Sequence, residues 1–277
     1  MNSETDHPTQ SHDASLMAEL DQVLFASLSP IQPPTDRTQV LTSRLKQRIT
    51  KSIADHRGLL TIRHKDRPWF QIRQGIRAKV LWKGPAGNSV LIEFAPGASL
   101  PVHRHNWMEE GIVLKGGLYM DDLDLGNFDY HVSPQGSRHA RIRSRQGALA
   151  YLRGTSIGDT PAALKELLGA LLPFQRAQAR SVFFDEIDWQ RIAPGVFRKD
   201  LAIDGIWASR FVRMEPKASL AGHLHRHPEE CMMLDGELFL GDILLRAGEY
   251  HIAASGSRHG EINTDSGAVA FVRGAVD

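Results

Sequence analysis

Short apolar runs separated by turn residues dominate the chain. Val90-Leu-Ile-Glu-Phe94, Gly111-Ile-Val-Leu114, Leu118-Tyr-Met120 and Ala148-Leu-Ala-Tyr-Leu152 each have strand length, and glycine, proline, asparagine or aspartate divides them. Many short strands with closely spaced turns predict an all-β sandwich or barrel. Helical periodicity is confined to a few places. Leu16, Leu20, Val23 and Leu24 make a short stripe that Ser29-Pro-Ile-Gln-Pro-Pro34 breaks, and Leu41, Leu45, Ile49 and Ile53 return every four residues along one helix face. Further on, Thr160 can cap a helix with Pro161 in its first position, and the apolar run from Ala162 continues until Pro173 stops it. Residues 1–14 carry no such pattern and read as disordered.

The strand pattern repeats. Shifting the chain against itself by 120 residues lays residues 65–154 over 185–274 without a gap, and 31 of the 90 pairs are identical. Trp69 meets Trp189, and Pro96-x-Ala-Ser-Leu100 meets Pro216-x-Ala-Ser-Leu220. His103-x-His105 meets His223-x-His225, Glu109-Glu110 meets Glu229-Glu230, and Tyr130-His131 meets Tyr250-His251. Gly136-Ser-Arg-His139 meets Gly256-Ser-Arg-His259, and the copies close together on Arg153-Gly154 and Arg273-Gly274. A repeat of this length is a small domain with its own core rather than a solenoid unit. The expected organisation is a partly disordered N-terminal arm with short helices over 1–60, one domain over 61–157, a linking helix over 158–182 and a second domain over 183–277.

Composition narrows the function classes. Lysine plus arginine number 33 and aspartate plus glutamate 32, so there is no global pull toward nucleic acid or anionic lipid. The local exception is the second helical stripe, where Arg37, Arg44, Lys46, Arg48 and Lys51 occur with no acid between Arg37 and Ala54. A solvated face accounts for it, and a docking surface for an acidic protein or nucleic acid is the alternative. One cysteine, Cys231, excludes an internal disulfide framework and cysteine-rich zinc modules. No apolar stretch approaches the roughly 18–20 residues of a membrane span. The N-terminus is polar and acidic where a secretory signal would be basic and then apolar, so a cytoplasmic setting is expected.

Histidine is the anomaly, with 13 in the chain. Residues two apart on a strand share a face, so His103, His105 and Glu109 can point the same way, and a sheet curled back on itself can bring His139 against them. The second copy repeats the set as His223, His225, Glu229 and His259. Three imidazoles and a carboxylate suit a divalent metal of borderline softness: iron, manganese, zinc, nickel or copper. Glu110 and Glu230 alternate away from that face, and Cys231 reads as a small buried hydrophobe. His131 and His251 read as strand residues making ordinary hydrogen bonds, with a supporting role beside the ligands as the alternative.

The spacing Gly97-x5-His-x-His-x3-Glu-x6-Gly116 resembles the first motif of the cupin superfamily without a mismatch. The second cupin motif is divided between the copies. The first keeps Pro134, Gly136 and His139 but has Phe128 for the leading glycine and Arg143 for the final asparagine. The second keeps Gly248, Gly256, His259 and Asn263 but has Ala254 for the proline. The resemblance implies a bicupin: two tandem jelly-roll barrels with an N-terminal helical arm and a linking helix, each barrel holding one divalent ion (zinc, iron or manganese) on three histidines and a glutamate. The glutamate doublet, Gly-Ser-Arg-His and the closing Arg-Gly are similar to the cupin domain of ChrR-type anti-sigma factors. That likeness implies a regulatory, stress- or ligand-sensing protein whose partner is a sigma factor or another regulatory protein, with no direct nucleic-acid or membrane binding. ChrR-type sigma-binding domains carry zinc on histidine and paired cysteines, and residues 1–64 contain no cysteine, which is the pattern of a cupin-only relative. The alternative is a mononuclear-metal dioxygenase acting on a small oxygenated acid or diketone at the metal. Pairing of exposed barrel edges in a homodimer is left open.

Overall fold

A computed structural model describes residues 10–28, 34–169 and 178–276, with the side chains of residues 10–16, 35, 36, 139 and 167 outside that description. The chain divides into two units, Met1–Ala54 and Asp55–Asp277. The first contains helices α1 (Gln10–Ser27) and α2 (Thr35–Asp55). Disorder expected over 1–14 does not extend to residues 10–14, which are helical; 1–9 lie outside the described residues, as does most of the proline-rich break. The stripe Leu41, Leu45, Ile49 and Ile53 is on α2 as expected, and all four side chains are exposed.

The second unit is antiparallel β. The main sheet of the first barrel runs Arg180–Val182, Tyr130–Ser133, Glu109–Gly116, Ala148–Thr155, Gly87–Phe94, Ile76–Gly84, Phe70–Arg73. That of the second runs Leu59–Ile62, Tyr250–Ala253, Glu229–Leu240, Ala268–Ala275, Trp207–Met214, Val196–Asp204, Gln190–Ala193. Smaller facing strands close each barrel, among them Ser99–Leu100 on Ile142–Arg143 and its counterpart Ser219–Leu220 on Ile262–Asn263. Helix α3 (Thr160–Gly169) follows the first barrel; its cap is Asp159, whose Oδ1 accepts from the Ala162 amide at 3.1 Å, one residue earlier than the expected Thr160. Residues 170–177, where Pro173 was expected to end the run, lie outside the described residues.

The two sheet orders match strand for strand under the 120-residue shift, and the match exposes an exchange. Leu59–Ile62 precedes the first barrel but pairs with Tyr250–Ala253 of the second, Thr61 opposite His251. Arg180–Val182 precedes the second barrel but pairs with Tyr130–Ser133 of the first, Ser181 opposite His131. Each barrel therefore receives its outermost strand from the other repeat.

Three apolar clusters follow from strand alternation. Ile76, Ile92, Val113, Leu118 and Ile142 fill the first barrel, while Val196, Met233, Leu238, Leu245 and Ile262 fill the second. The third lies between the barrels and draws on both: Ile112, Tyr130, Tyr151, Phe211, Met232, Tyr250 and Phe271. Buried charge is threaded through this third cluster in a reciprocal pattern. Arg153 of the first barrel reaches Glu230 of the second (Nε–Oε1 2.9 Å), and Arg273 of the second reaches Glu110 of the first (Nη1–Oε2 3.2 Å). Tyr130 and Tyr250 each donate at 2.7 Å to the glutamate of their own barrel, and Ser89 donates across to Glu230. Burial alone would raise the Glu230 carboxyl, but Arg153 and these donors hold it below its ordinary value.

At three turns a non-glycine residue in the left-handed region stands where the other repeat has glycine, one of them Asp121 (φ 49°), matched to Gly241. Phe128 has φ 66° where the second repeat has Gly248, and Lys217 has φ 68° where the first has Gly97. Phe128 and Lys217 thus keep the turn conformation of the glycine in the other repeat, at a conformational cost of about 1–2 kcal/mol each.

Removing one partner of a buried ion pair strands the other charge. Arg153→Met is expected to lower the unfolding free energy of the full chain by about 3–5 kcal/mol, measured by urea denaturation. A loss below about 1 kcal/mol would mean that the pair behaves as an exposed salt bridge.

Candidate metal centres

The histidine pairs are held by backbone bonding to the Gly-Ser-Arg-His loops. In the second barrel the His225 amide donates to the Ser257 carbonyl (2.9 Å), Gly256 donates back to the His225 carbonyl (2.7 Å), and the His259 amide donates to the His223 carbonyl (3.1 Å). The first barrel repeats this through His105, Ser137 and Gly136. Its strand His103–Arg104 pairs with Arg138–His139, setting His139 opposite His103. The matched tetrapeptide is therefore the clasp that draws the third histidine to the other two. Glu109 and Glu229 open the long strands that follow.

In the second barrel all four expected residues converge. One ligand atom each from His223, His225, Glu229 and His259 lies within 4.8 Å of the others. His225 Nε2 is 3.2 Å from His259 Nδ1, and His223 Nε2 is 3.8 Å from Glu229 Oε1. His103, His105 and Glu109 converge in the first barrel under the same 4.8 Å limit, with His105 Nδ1 3.8 Å from Glu109 Oε2. The His139 side chain lies outside the described residues; its backbone is at the place the fourth ligand requires. Three imidazoles and a carboxylate gathered at this spacing are a donor set that could hold a divalent ion.

The centres differ in cover. His225 and His259 are buried, but the His223 side chain is 44 % exposed at the mouth of its barrel. At the first centre α3 packs against the strand His103–Arg104 and contributes Glu166. This buried carboxylate accepts from the Asn106 amide at 3.3 Å, and Asn106 in turn donates to Ser156 (3.0 Å) and to the Ala162 carbonyl (2.9 Å). Burial and then the charge of Glu109 push Glu166 up to about 7. The sequence offered one signal for it: Glu166 is the lone acid between Pro161 and Leu172. Glu109 is likewise pushed up to about 7 by burial, partly offset by a hydrogen bond from Thr155.

A second row of matched residues lies behind the ligands. His251 Nε2 is 3.0 Å from His259 Nε2, and His251 Nδ1 is 2.8 Å from Thr61 Oγ1. In the first barrel His131 Nδ1 is 2.9 Å from Ser181 Oγ and its Nε2 is 3.2 Å from Ser133 Oγ. Glu110 and Glu230 face the opposite barrel, as their parity requires. Cys231 is buried in the apolar cluster of its barrel, with its thiol pushed up by burial. His227 is exposed and edges Trp207.

The buried imidazoles set the acid sensitivity of the metal-free protein. Burial, above all, lowers His105 and His259 to about 3 and His131 and His251 to about 4, from 6.5. Unfolded chains bind protons near 6.5 and the folded chain does not, so stability present above that pH is lost as pH falls toward 4. Glu109 and Glu166 act oppositely: their raised values give stability that is present below 4.5 and lost as pH rises through about 7. Four imidazoles outweigh two carboxyls. The melting temperature of chelator-treated protein is expected to fall from about pH 7 to about pH 5; a flat or rising profile would contradict these shifts.

Comparison with known proteins agrees with this architecture. No curated protein matches the chain significantly. Among solved structures, a Nostoc punctiforme protein provisionally assigned as a dioxygenase aligns with TM-score 0.63 at 17% identity, covering 78% of this chain and 82% of its own. Lactobacillus farciminis oxalate decarboxylase, in a formate complex, aligns with TM-score 0.56 at 14% identity (78% and 86%). AerE from Microcystis aeruginosa aligns with TM-score 0.54 at 16% identity (76% and 97%). At these identities the shared property is the fold, a bicupin. Residues 57–156 and 177–276 each match the family described as the ChrR cupin-like domain, and both matched spans begin ahead of the exchanged strands. With two such domains covering most of its length, the chain belongs to the ChrR cupin-like family.

Proposed function

We propose that this chain is a metal-dependent regulatory bicupin that senses a small oxidant or ligand and passes the signal to a protein partner. His223, His225, Glu229 and His259 would hold one divalent ion, and His103, His105, Glu109 and His139 the other. An ion so bound supplies a Lewis acid and, if it is iron or manganese, a redox centre. The reading is carried by the two glutamate doublets. Glu109 and Glu229 face the candidate centres, while the next residues, Glu110 and Glu230, are paired with arginines of the opposite barrel. A shift of either ligand strand therefore bears directly on the contact between barrels. Size also favours a small signal: the cavity lined by Glu109 and His131 measures about 30 Å³, room for about one water and far below the few hundred Å³ of an organic substrate site. The exposed stripe on α2, flanked by Arg44, Lys46, Arg48 and Lys51, supports a docking role for the arm.

A second reading, a metal-dependent dioxygenase, is favoured by Glu166 alone. It sets a buried carboxyl with a value near neutrality beside Glu109 and His103, where a proton-transfer group for a small oxygenated acid would be needed.

Protein purified without added metal is expected to carry about two equivalents by elemental analysis, and His105→Ala and His225→Ala about one each, since an incomplete shell loses its ion. Unchanged content in either variant refutes the centre concerned. Regulation is tested by deleting the gene: unaltered transcription of stress genes would overturn it. Under the enzymatic reading, Fe(II)-loaded protein consumes oxygen with a dicarboxylate or diketone, and Glu166→Gln lowers that rate about 10²–10⁴-fold with metal retained. Silence across a broad substrate panel removes this reading.

A further inference from the structure

The strand exchange delivers a hydroxyl to the back of each candidate centre. Thr61 comes from the first repeat, yet it lies opposite His251 in the second barrel, with Oγ1 2.8 Å from Nδ1. Ser181, at the matching position of the second repeat, lies opposite His131 in the first barrel, with Oγ 2.9 Å from Nδ1. The second barrel continues the line inward: His251 Nε2 meets His259 Nε2 at 3.0 Å, and His259 Nδ1 meets His225 Nε2 at 3.2 Å. His251 and His259 are both buried.

Tautomers give this line a direction. A neutral imidazole has one N–H and one lone-pair nitrogen. His259 Nδ1 faces the ligand cluster and must be the lone-pair nitrogen if His259 is to bind an ion, so the N–H lies on Nε2. That N–H donates to His251 Nε2, which leaves the N–H of His251 on Nδ1, aimed at the Thr61 hydroxyl oxygen. Each link is thereby fixed by the one behind it. An imidazole ligand whose second nitrogen is held in this way keeps its ring orientation and its tautomer.

We propose that Thr61 is a positioning residue for the second centre, fixing His259 through His251. This rests on the metal-binding reading and adds that the second centre is completed by a strand of the first repeat. The first repeat then contributes to the affinity of the second barrel without supplying a ligand.

The test uses the full chain with Co(II) as the probe, its affinity measured by competition with a chromophoric chelator. The His105→Ala background removes the first centre, so that the second is read alone. Thr61→Val keeps the shape and removes the hydroxyl; it is expected to weaken Co(II) binding about 10–100-fold, whereas Thr61→Ser keeps wild-type affinity. Nitrogen-15 NMR of the histidine rings in metal-free protein is expected to show His259 protonated at Nε2, with that state lost in Thr61→Val. Thr61→Ala in the His105→Ala background is expected to give the same loss, and it decides the matter if Thr61→Val does not melt cooperatively. Equal affinity in the valine and parent proteins, or a serine variant as weak as valine, overturns the proposal while the metal centre stands. No Co(II) binding by His105→Ala itself overturns both.

Discussion

A strand has two faces, and in the central strands of both barrels both faces are buried. Over residues 109–114 and 229–234 the odd-numbered positions enter the barrel and the even-numbered ones enter the contact between barrels. No residue on these strands can slip by one without moving a candidate ligand into the interface and an interface charge into the centre. This explains why chemically similar neighbours have unrelated duties. Glu109 faces histidines and Glu110 faces Arg273; His131 faces the barrel interior and Tyr130 donates to Glu110. The closing Arg-Gly follows the same rule. Arg153 crosses to Glu230, and a side chain on Gly154 would overlap the Met108 carbonyl beside Glu109.

Burying two glutamates and two arginines between barrels costs solvation that apolar residues would not. What they add is register. An aromatic cluster of Tyr130, Tyr151, Phe211 and Phe271 accepts small shifts, whereas Arg153 and Arg273 have a definite carboxylate to reach. The hydroxyls of Tyr130, Tyr250 and Ser89 use the remaining lone pairs, so the charges are dispersed over fixed donors.

Most of the candidate site was legible in the amino-acid order, because a duplicated chain carries its own comparison. His103, His105, Glu109, His223, His225, Glu229 and His259 came from matched spacing, and their convergence needs no residue from outside the matched segments. The exchange was not legible. Leu59-Leu-Thr-Ile and Arg180-Ser-Val lie ahead of the gap-free match, and the same alternation would satisfy the edge of either barrel. Pairing partners are a property of topology, and local pattern does not encode them. Glu166 was missed for another reason: it is on a helix, away from the repeated motif, and its role comes from what α3 covers. Phe128 looked like a loss of turn geometry. It adopts the left-handed conformation, since the flanking strands determine the turn more strongly than the preference of one residue.

The exchange also orders events as the chain leaves the ribosome. The first barrel receives its outer strand from residues 180–182, only 50 positions beyond His131, soon after its own strands have emerged. The strand Leu59–Ile62 must wait for a partner 190 positions downstream. During that interval it presents an open β edge that a neighbouring nascent chain could capture. Thr61 lies on that edge and Arg63 just beyond it, and both become tied to the second barrel, Arg63 through Glu249, only once residues 249–251 have been made.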